Sequence, residues 1–239
     1  MDETLFAVIV AGGTGKRMDA GMPKQYIEIG GMPIIVRTVR VFLSCGLFRE
    51  IIVLVPEGFE PMTMDLIREH LGESYDLSGV TVTAGGKERN DTVMKAVRCA
   101  ETMCDIDRAV FVTHDAVRPF VTVSMIEQSV AAARDGFAAS AAIPLVDTVF
   151  EVEGGLVKRV PDREALFRVQ TPQSFNAGEF KRLYESATDD ERAAYTDSIG
   201  VFIKNGRPVK LTEGSISNIK ITYPEDLTLA ESFVKKESV

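Results

Sequence analysis

Apolar runs and amphipathic runs alternate along this chain. Leu5-Phe6-Ala7-Val8-Ile9-Val10 is apolar throughout and ends in glycines, the pattern of a strand buried on both faces of a parallel sheet. The same reasoning predicts strands at 50–55, 80–84, 109–113 and 137–143. Helical spacing falls between them, at 33–43, 62–71, 92–103 and 123–133, the first entered at Pro33, a residue suited to the first turn. Strands alternating with helices across short loops predict an α/β, Rossmann-like fold in one domain spanning 1–239. Its sheet is mainly parallel, with helices on both faces and right-handed crossovers. Ligands bind such sheets outside the carboxyl ends of the strands, so the residues that follow strands should carry the chemistry.

The alternation breaks at about 144–170. Residues 144–150 and 151–157 are strand-like and surround a Glu153-Gly154-Gly155 turn, a hairpin signal. A hairpin protruding from a parallel sheet needs cover for its apolar face, and a second copy of the chain is the simplest cover. A β-hairpin arm and a homodimer are therefore expected. Beyond it the pattern predicts a helix at 177–186, an acidic linker and a short helix ending near Asn205-Gly206. A strand follows at 208–211, with Pro208 where no ladder donor is needed.

Composition narrows the function. The 239 residues are 45% hydrophobic and 26% charged, the balance of a globular protein able to bury a core. A net charge of −8 disfavours non-specific binding to nucleic acid or to a membrane surface. It also means that an anionic substrate must be met by a local cluster of cations. No apolar run approaches the ~18 residues of a membrane span. The acidic Met1-Asp2-Glu3 start lacks the basic region of a signal peptide. Three cysteines, Cys45, Cys99 and Cys104, without motif spacing, argue against a disulfide framework and fit a reducing cytoplasm.

The loop after the first strand is Ala11-Gly12-Gly13-Thr14-Gly15, followed by Lys16, Arg17 and, past Pro23, Lys24. Small residues let backbone N–H groups approach and cradle phosphate oxygens. Fixed cations just beyond suit a polyphosphate that gains charge during reaction. A Walker A loop is excluded, because Val10 stands in place of its first glycine and Arg17 in place of its Ser/Thr. The dinucleotide fingerprint fails at Met18.

Two later loops also follow strands. Gly85-Gly86-Lys87-Glu88-Arg89-Asn90-Asp91-Thr92 offers glycines for close approach to a base or ribose, a charge at Arg89 and a hydroxyl at Thr92; taken alone it reads better as a helix cap with a solvated charge run. His114-Asp115-Ala116-Val117-Arg118-Pro119 places a carboxylate at the end of a buried strand, a natural ligand for Mg²⁺ beside phosphate. Arg118 can fork onto a substrate phosphate, and His114 can hold Asp115 or the loop backbone.

Together these segments resemble the CTP:polyol-phosphate cytidylyltransferases, which act on 2-C-methyl-D-erythritol 4-phosphate or on ribitol 5-phosphate. The resemblance runs from Ala11 to Asp226 through five segments in family order, with Pro23-Lys24-Gln25, His114-Asp115-x-x-Arg118-Pro119 and Asn218-Ile219-Lys220 among them. It implies transfer of CMP from CTP to a polyol phosphate, with pyrophosphate released. Arg17, Lys24, Arg163 and Lys220 would be catalytic. Ala11, Gly12, Gly13, Thr14, Gly15, Gly85, Gly86, Arg89, Asn90, Thr92 and Asp115 would bind the nucleotide. Arg118 and Thr148 would contact the polyol phosphate, Asp115 would hold Mg²⁺, and the arm would carry Arg163 into the neighbouring subunit's site.

Four details lean toward the ribitol 5-phosphate branch: Val117 before Arg118, Arg89-Asn90, Gln173-Ser174-Phe175, and the long spacer from Thr171 to Thr196-Asp197 with Ser198 and Ile199 after it. Ile143-Pro144-Leu145-Val146-Asp147-Thr148, and the breadth of its pathway among bacteria, favour the methylerythritol branch. On balance ribitol 5-phosphate is expected. A non-catalytic nucleotide-binding protein on this fold is a further reading, but it should have lost some of the five charged positions, and all are present. A uridylyl- or guanylyltransferase fits the Pro-Lys-Gln and His-Asp segments less well.

Overall fold

The computed structural model describes residues 3–13 and 22–237. Strand β1 (Thr4–Val10) is followed by a two-strand ribbon, β2 (Glu28–Ile29) and β3 (Met32–Pro33), then α1 (Ile34–Cys45), β4 (Glu50–Val55), α2 (Glu60–Leu71), β5 (Val80–Ala84), α3 (Arg89–Glu101), β6 (Ala109–Asp115), α4 (Val123–Arg134) and β7 (Ala138–Pro144). The arm is β8 (Glu151–Glu153) and β9 (Leu156–Arg159). The chain returns through β10 (Phe167–Asn176), α5 (Ala177–Ser186), α6 (Asp189–Ala194), α7 (Ser198–Lys204), β11 (Val209–Glu213) and α8 (Pro224–Glu237).

The main sheet has the order β11-β7-β10-β6-β1-β4-β5. All neighbours pair in parallel except β10, which runs antiparallel to both β6 and β7. Successive side chains of a strand point to opposite faces. Leu5, Ala7 and Ile9 accordingly enter one core with α1, α2 and α4, while Phe6 and Val8 enter another with α3, α5 and α7. A third, smaller cluster joins Ile29 and Ile34 to Val117, Phe120, Ile221 and Val234, so α8 closes over the loop that follows β6.

Several predicted bounds shift for local reasons. The helix expected from Thr92 begins at Arg89, because Glu88 and Asp91 form a reciprocal capping box. The helix expected from Pro33 begins one residue later, with Pro33 as its cap. Strand β6 runs two residues further than its apolar core, through His114 and Asp115, both buried. The acidic stretch expected as a linker contains α6, capped by Thr188 and Glu191. Of the two strand-like arms, the turn at Gly154-Gly155 and its flanks form a ribbon, but 145–150 is irregular.

Strand β10 was not expected. Its polar Gln170, Thr171 and Gln173 and its Pro172 argue against a central strand. The register shifts between Val169 and Gln173, and that irregularity accommodates the proline inside the sheet.

Candidate active site

Parallel register sets the site. Val10 is level with Asp115 on one side and with Leu54 on the other, and Val55 is level with Ala84. The loops leaving β1, β5 and β6 therefore start from one rim of the sheet. They enclose a cleft of about 470 Å³ with Ala11, Gly12 and Gly13 on one wall, Gly86 and Arg89 on another, and Asp115 at its base.

On the first wall, the Ala11 amide donates to Leu54 O at 2.8 Å, which extends the β1–β4 pairing by one step into the loop. The Gln25 carboxamide, 1% exposed, donates to Ala11 O at 2.8 Å and fixes the loop from behind. Lys24 stands in a single 3₁₀ turn at 24–26 and donates to Ile221 O at 2.8 Å while lining the cleft. Thr14, Gly15 and Arg17 lie outside the described residues.

The second wall is a tight turn that glycine makes possible. The Gly86 amide donates to Thr92 Oγ1 at 2.9 Å, and that hydroxyl donates to Glu88 O at 2.9 Å. A β-carbon on Gly86 would stand 2.6 Å from Asp91 Cβ and 2.8 Å from the Thr92 nitrogen. One on Gly85 would sit 3.3 Å from Thr92 Oγ1. Thr92 thus shapes the turn while lining the cleft. Asn90 is turned inward instead: its carboxamide donates to Asp197 O and accepts from Ser198 Oγ, both at 3.2 Å, and it holds the start of α7.

At the base, three cations converge on Asp115. Arg89 donates to Oδ1, while Arg118 Nε lies 3.3 Å and Lys220 Nζ 3.0 Å from Oδ2. Burial raises the pKa of this carboxyl, but Arg89, Lys220 and Arg118 outweigh burial and hold it well below the usual carboxylate range. Arg118 is more deeply set than the others and also donates to Asn218 O at 2.9 Å. The cluster carries a surplus of positive charge in a chain that is acidic overall, the local arrangement an anionic ligand requires.

Among the described residues no group of three or more His, Cys, Asp or Glu could hold a metal by itself. The cleft instead offers Asp115, a hard oxygen donor whose Oδ1 accepts from Arg89 and takes no second hydrogen bond among the described residues. One carboxylate completed by phosphate oxygens is a donor set that suits Mg²⁺.

Arg163 and Thr148 are not in this cleft. They share a separate hollow of about 260 Å³ at the root of the arm, where Arg163 Nη1 donates to Val146 O at 3.3 Å. Gln25 and Thr171 were not singled out as site residues. The Thr171 hydroxyl accepts from the Asp115 amide at 3.2 Å. Gln25 had a signal in its place beside Lys24; Thr171 had none, because β10 itself was not legible.

A description of the family "2-C-methyl-D-erythritol 4-phosphate cytidylyltransferase" (IspD) matches residues 5–236. A Geobacter metallireducens protein named 2-C-methyl-D-erythritol 4-phosphate cytidylyltransferase is 41% identical over 235 residues, covering 98% of both chains. One of the same name from Syntrophus aciditrophicus is 38% identical, covering 99% of this chain and 98% of its own. The crystal structure of 4-diphosphocytidyl-2C-methyl-D-erythritol synthase from Anaerococcus prevotii superposes with a TM-score of 0.81 at 26% identity, covering 98% of this chain and 99% of that one. The Thermus thermophilus 2-C-methyl-D-erythritol 4-phosphate cytidylyltransferase superposes with a TM-score of 0.73 at 27% identity, covering 98% and 100%.

These likenesses overturn the expectation of ribitol 5-phosphate. Several of the details that favoured it are packing features, although Arg89 and Val117 also line the cleft. Val117 belongs to the third apolar cluster, Asn90 holds α7, and Ser174, Phe175, Ser198 and Ile199 are buried. Such positions report on how neighbouring elements fit together more than on what the cleft binds. The chain belongs to the 2-C-methyl-D-erythritol 4-phosphate cytidylyltransferase family.

Proposed function

We propose that this protein transfers CMP from CTP to 2-C-methyl-D-erythritol 4-phosphate, forming 4-diphosphocytidyl-2-C-methyl-D-erythritol and pyrophosphate. The observation that carries this reading is the gathering of Lys24, Arg89 and Lys220 on one cleft beside two glycine turns, with Asp115 at its base paired to Arg89, Lys220 and the deeper-set Arg118. The names of the full-length relatives supply the polyol.

In the reaction an oxygen of the polyol phosphate attacks the α-phosphorus of CTP. A new P–O bond forms, the bond to the bridging oxygen breaks, and its electron pair leaves with pyrophosphate. The protein contributes position and charge to this displacement. The glycine turns at Gly12-Gly13 and Gly85-Gly86 admit the nucleotide close to backbone. Lys24 and Arg17 stabilise the charge that builds on the phosphate chain. Arg89 and Arg118 orient Asp115, and Lys220 holds the incoming phosphate. Asp115 would hold Mg²⁺, which when bound would offset charge on phosphate oxygens.

The working unit is a homodimer in the cytoplasm. Its support is the arm, where Val146, Phe150, Val152, Leu156 and Val157 are all more than half exposed and form a surface that a second copy would cover. Arg163 and Thr148, remote from the cleft of their own chain, would serve the partner's cleft. Among the described residues no helix is long and apolar enough to cross a membrane.

The test is pyrophosphate release from CTP and Mg²⁺ with 2-C-methyl-D-erythritol 4-phosphate, with ribitol 5-phosphate in parallel. Turnover with the first and none with the second is the expected result. Release with neither would refute the activity, and faster release with ribitol 5-phosphate would refute the substrate.

A further inference from the structure

Lys220 reaches the cleft from a segment, residues 214–223, that is neither helix nor strand. An irregular segment near a core must find partners for its backbone outside its own ladder. Among the described residues Asp226 Oδ2 accepts from the Thr222 and Tyr223 amides, and three side chains nearer the site also reach this segment. Lys24 donates to Ile221 O and Arg118 donates to Asn218 O, and both of these also face the cleft or its counter-charge.

The third is Gln170. Its carboxamide Nε2 donates to Ser215 O at 2.8 Å, and its Oε1 accepts from the Ser215 amide at 3.1 Å and from Asn218 Nδ2 at 3.2 Å. Asn218 Nδ2 also donates to Thr171 O at 2.8 Å. Gln170 is 3% exposed, does not line the cleft, and spends both ends of its amide on this one loop. It lies in the stretch where the register of β10 on β7 breaks, between Val169 and Gln173. Gly214 is matched to it: a β-carbon there would stand 2.7 Å from Gln170 Oε1 and 2.8 Å from Ala142 O.

We propose that Gln170 is a positioning residue that acts through Lys220. It clamps the loop at Ser215 and Asn218, two residues short of Lys220, so that the ammonium is held over Asp115 before substrate arrives. The inference rests on Lys220 being the ligand of the incoming phosphate, as in the function proposed above. It also ties the strand that returns from the arm to the site, since β10 begins at Phe167, after β9 ends at Arg159.

Gln170→Leu removes all three hydrogen bonds at similar volume. Hydrogen exchange on the free protein reads the clamp directly, whatever the reaction. The Ser215 amide should exchange about tenfold or more faster in Gln170→Leu, and unchanged exchange overturns the clamp. Kinetics then read the coupling. In Gln170→Leu the KM for 2-C-methyl-D-erythritol 4-phosphate should rise about tenfold while that for CTP stays within about twofold. In a Lys220→Ala background the same change should lower kcat/KM by less than about threefold further, because the residue it acts through is gone. Equal losses in both backgrounds, or an equal rise in the KM for CTP, overturn the positioning role. If the leucine variant does not fold, Gln170→Asn, which retains the amide but shortens its reach, is read in the same way. Failure of the wild-type protein to release pyrophosphate would refute the proposed function while leaving the exchange result to judge the clamp.

Discussion

The Lys220 ammonium stands 3.0 Å from Oδ2 of Asp115, joining a loop near the end of the chain to the last residue of β6. Nearly half of the Lys220 side chain is exposed, whereas Asp115 is almost fully buried. The lysine is thus the partner able to turn toward an arriving phosphate, while Arg89 and Arg118 keep the carboxylate charged and in place.

Lys24 should matter to the rate more than to nucleotide binding. Lys24 lines the cleft with its ammonium held at Ile221 O, while the glycine turns and their backbone amides remain without it. Lys24→Ala should lower kcat by about two to three orders of magnitude, the scale of losing one donor to a developing charge. The dissociation constant for CTP, measured by calorimetry, should move far less. Near-normal turnover would remove Lys24 from the mechanism.

Gly86 should tolerate no side chain. A methyl group there meets Asp91 Cβ and the Thr92 backbone nitrogen inside van der Waals contact. Gly86→Ala should cost about 1–3 kcal/mol in chemical denaturation and raise the KM for CTP, because the turn must open to admit the methyl. Gly31→Ala is the contrast: its β-carbon would have open space, but its φ of +71° makes the cost one of backbone strain, with no change in the KM for CTP expected.

Acid should destabilise the free, metal-free protein in two stages. Burial lowers the His114 imidazole to about 4, and this outweighs the favourable contact with Arg118 O. An unfolded imidazole, near ~6.5, therefore takes its proton first, so the stability tied to the neutral ring is whole above about pH 6.5 and erodes between there and about pH 4. For Asp115 the unfolded carboxyl, near ~3.9, binds its proton before the native one, so that contribution is complete above about pH 4 and is lost as pH falls toward the depressed native value. Urea unfolding from pH 7 to pH 3 should show both stages. His114→Gln should abolish the first; an unchanged loss between about pH 6.5 and 4.5 would assign it elsewhere.

Complementation should reveal whether the arm serves a neighbour. If each cleft joins Lys24 of one chain to Arg163 of the other, a mixture of Lys24→Ala and Arg163→Ala chains, unfolded and refolded together, forms heterodimers with one intact cleft. Random pairing should restore about a quarter of wild-type activity from two nearly inactive proteins. No recovery, with dimers present by ultracentrifugation, would mean that Arg163 does not serve the neighbour's cleft, and near-normal activity of Arg163→Ala alone would place it outside the reaction.

The sheet was legible from the chain because burial on two faces imposes unbroken apolar runs, as in 5–10 and 50–55. Asp115 could be read as a site residue because polar chemistry at the end of such a run has no packing purpose. Strand β10 could not, since Pro172 and the glutamines around it look like loop until the broken register explains them. The leaning toward ribitol 5-phosphate failed for a related reason. Asn90 and Ser174 looked like markers of substrate, but their side chains are spent on holding α7 and α4, and Val117 packs in the third cluster as well as lining the cleft.

The amino-acid order alone determined most of the parallel strands and their helices, the glycine turns and the set of charged groups, because short-range periodicity and backbone sterics act within a few residues. Tertiary structure decided which of those charges meet. Only parallel register brings Val10 level with Asp115, and only the clamped loop carries Lys220 across to it. Contacts of that kind depend on distances through space between residues far apart in the chain, and no local pattern encodes them.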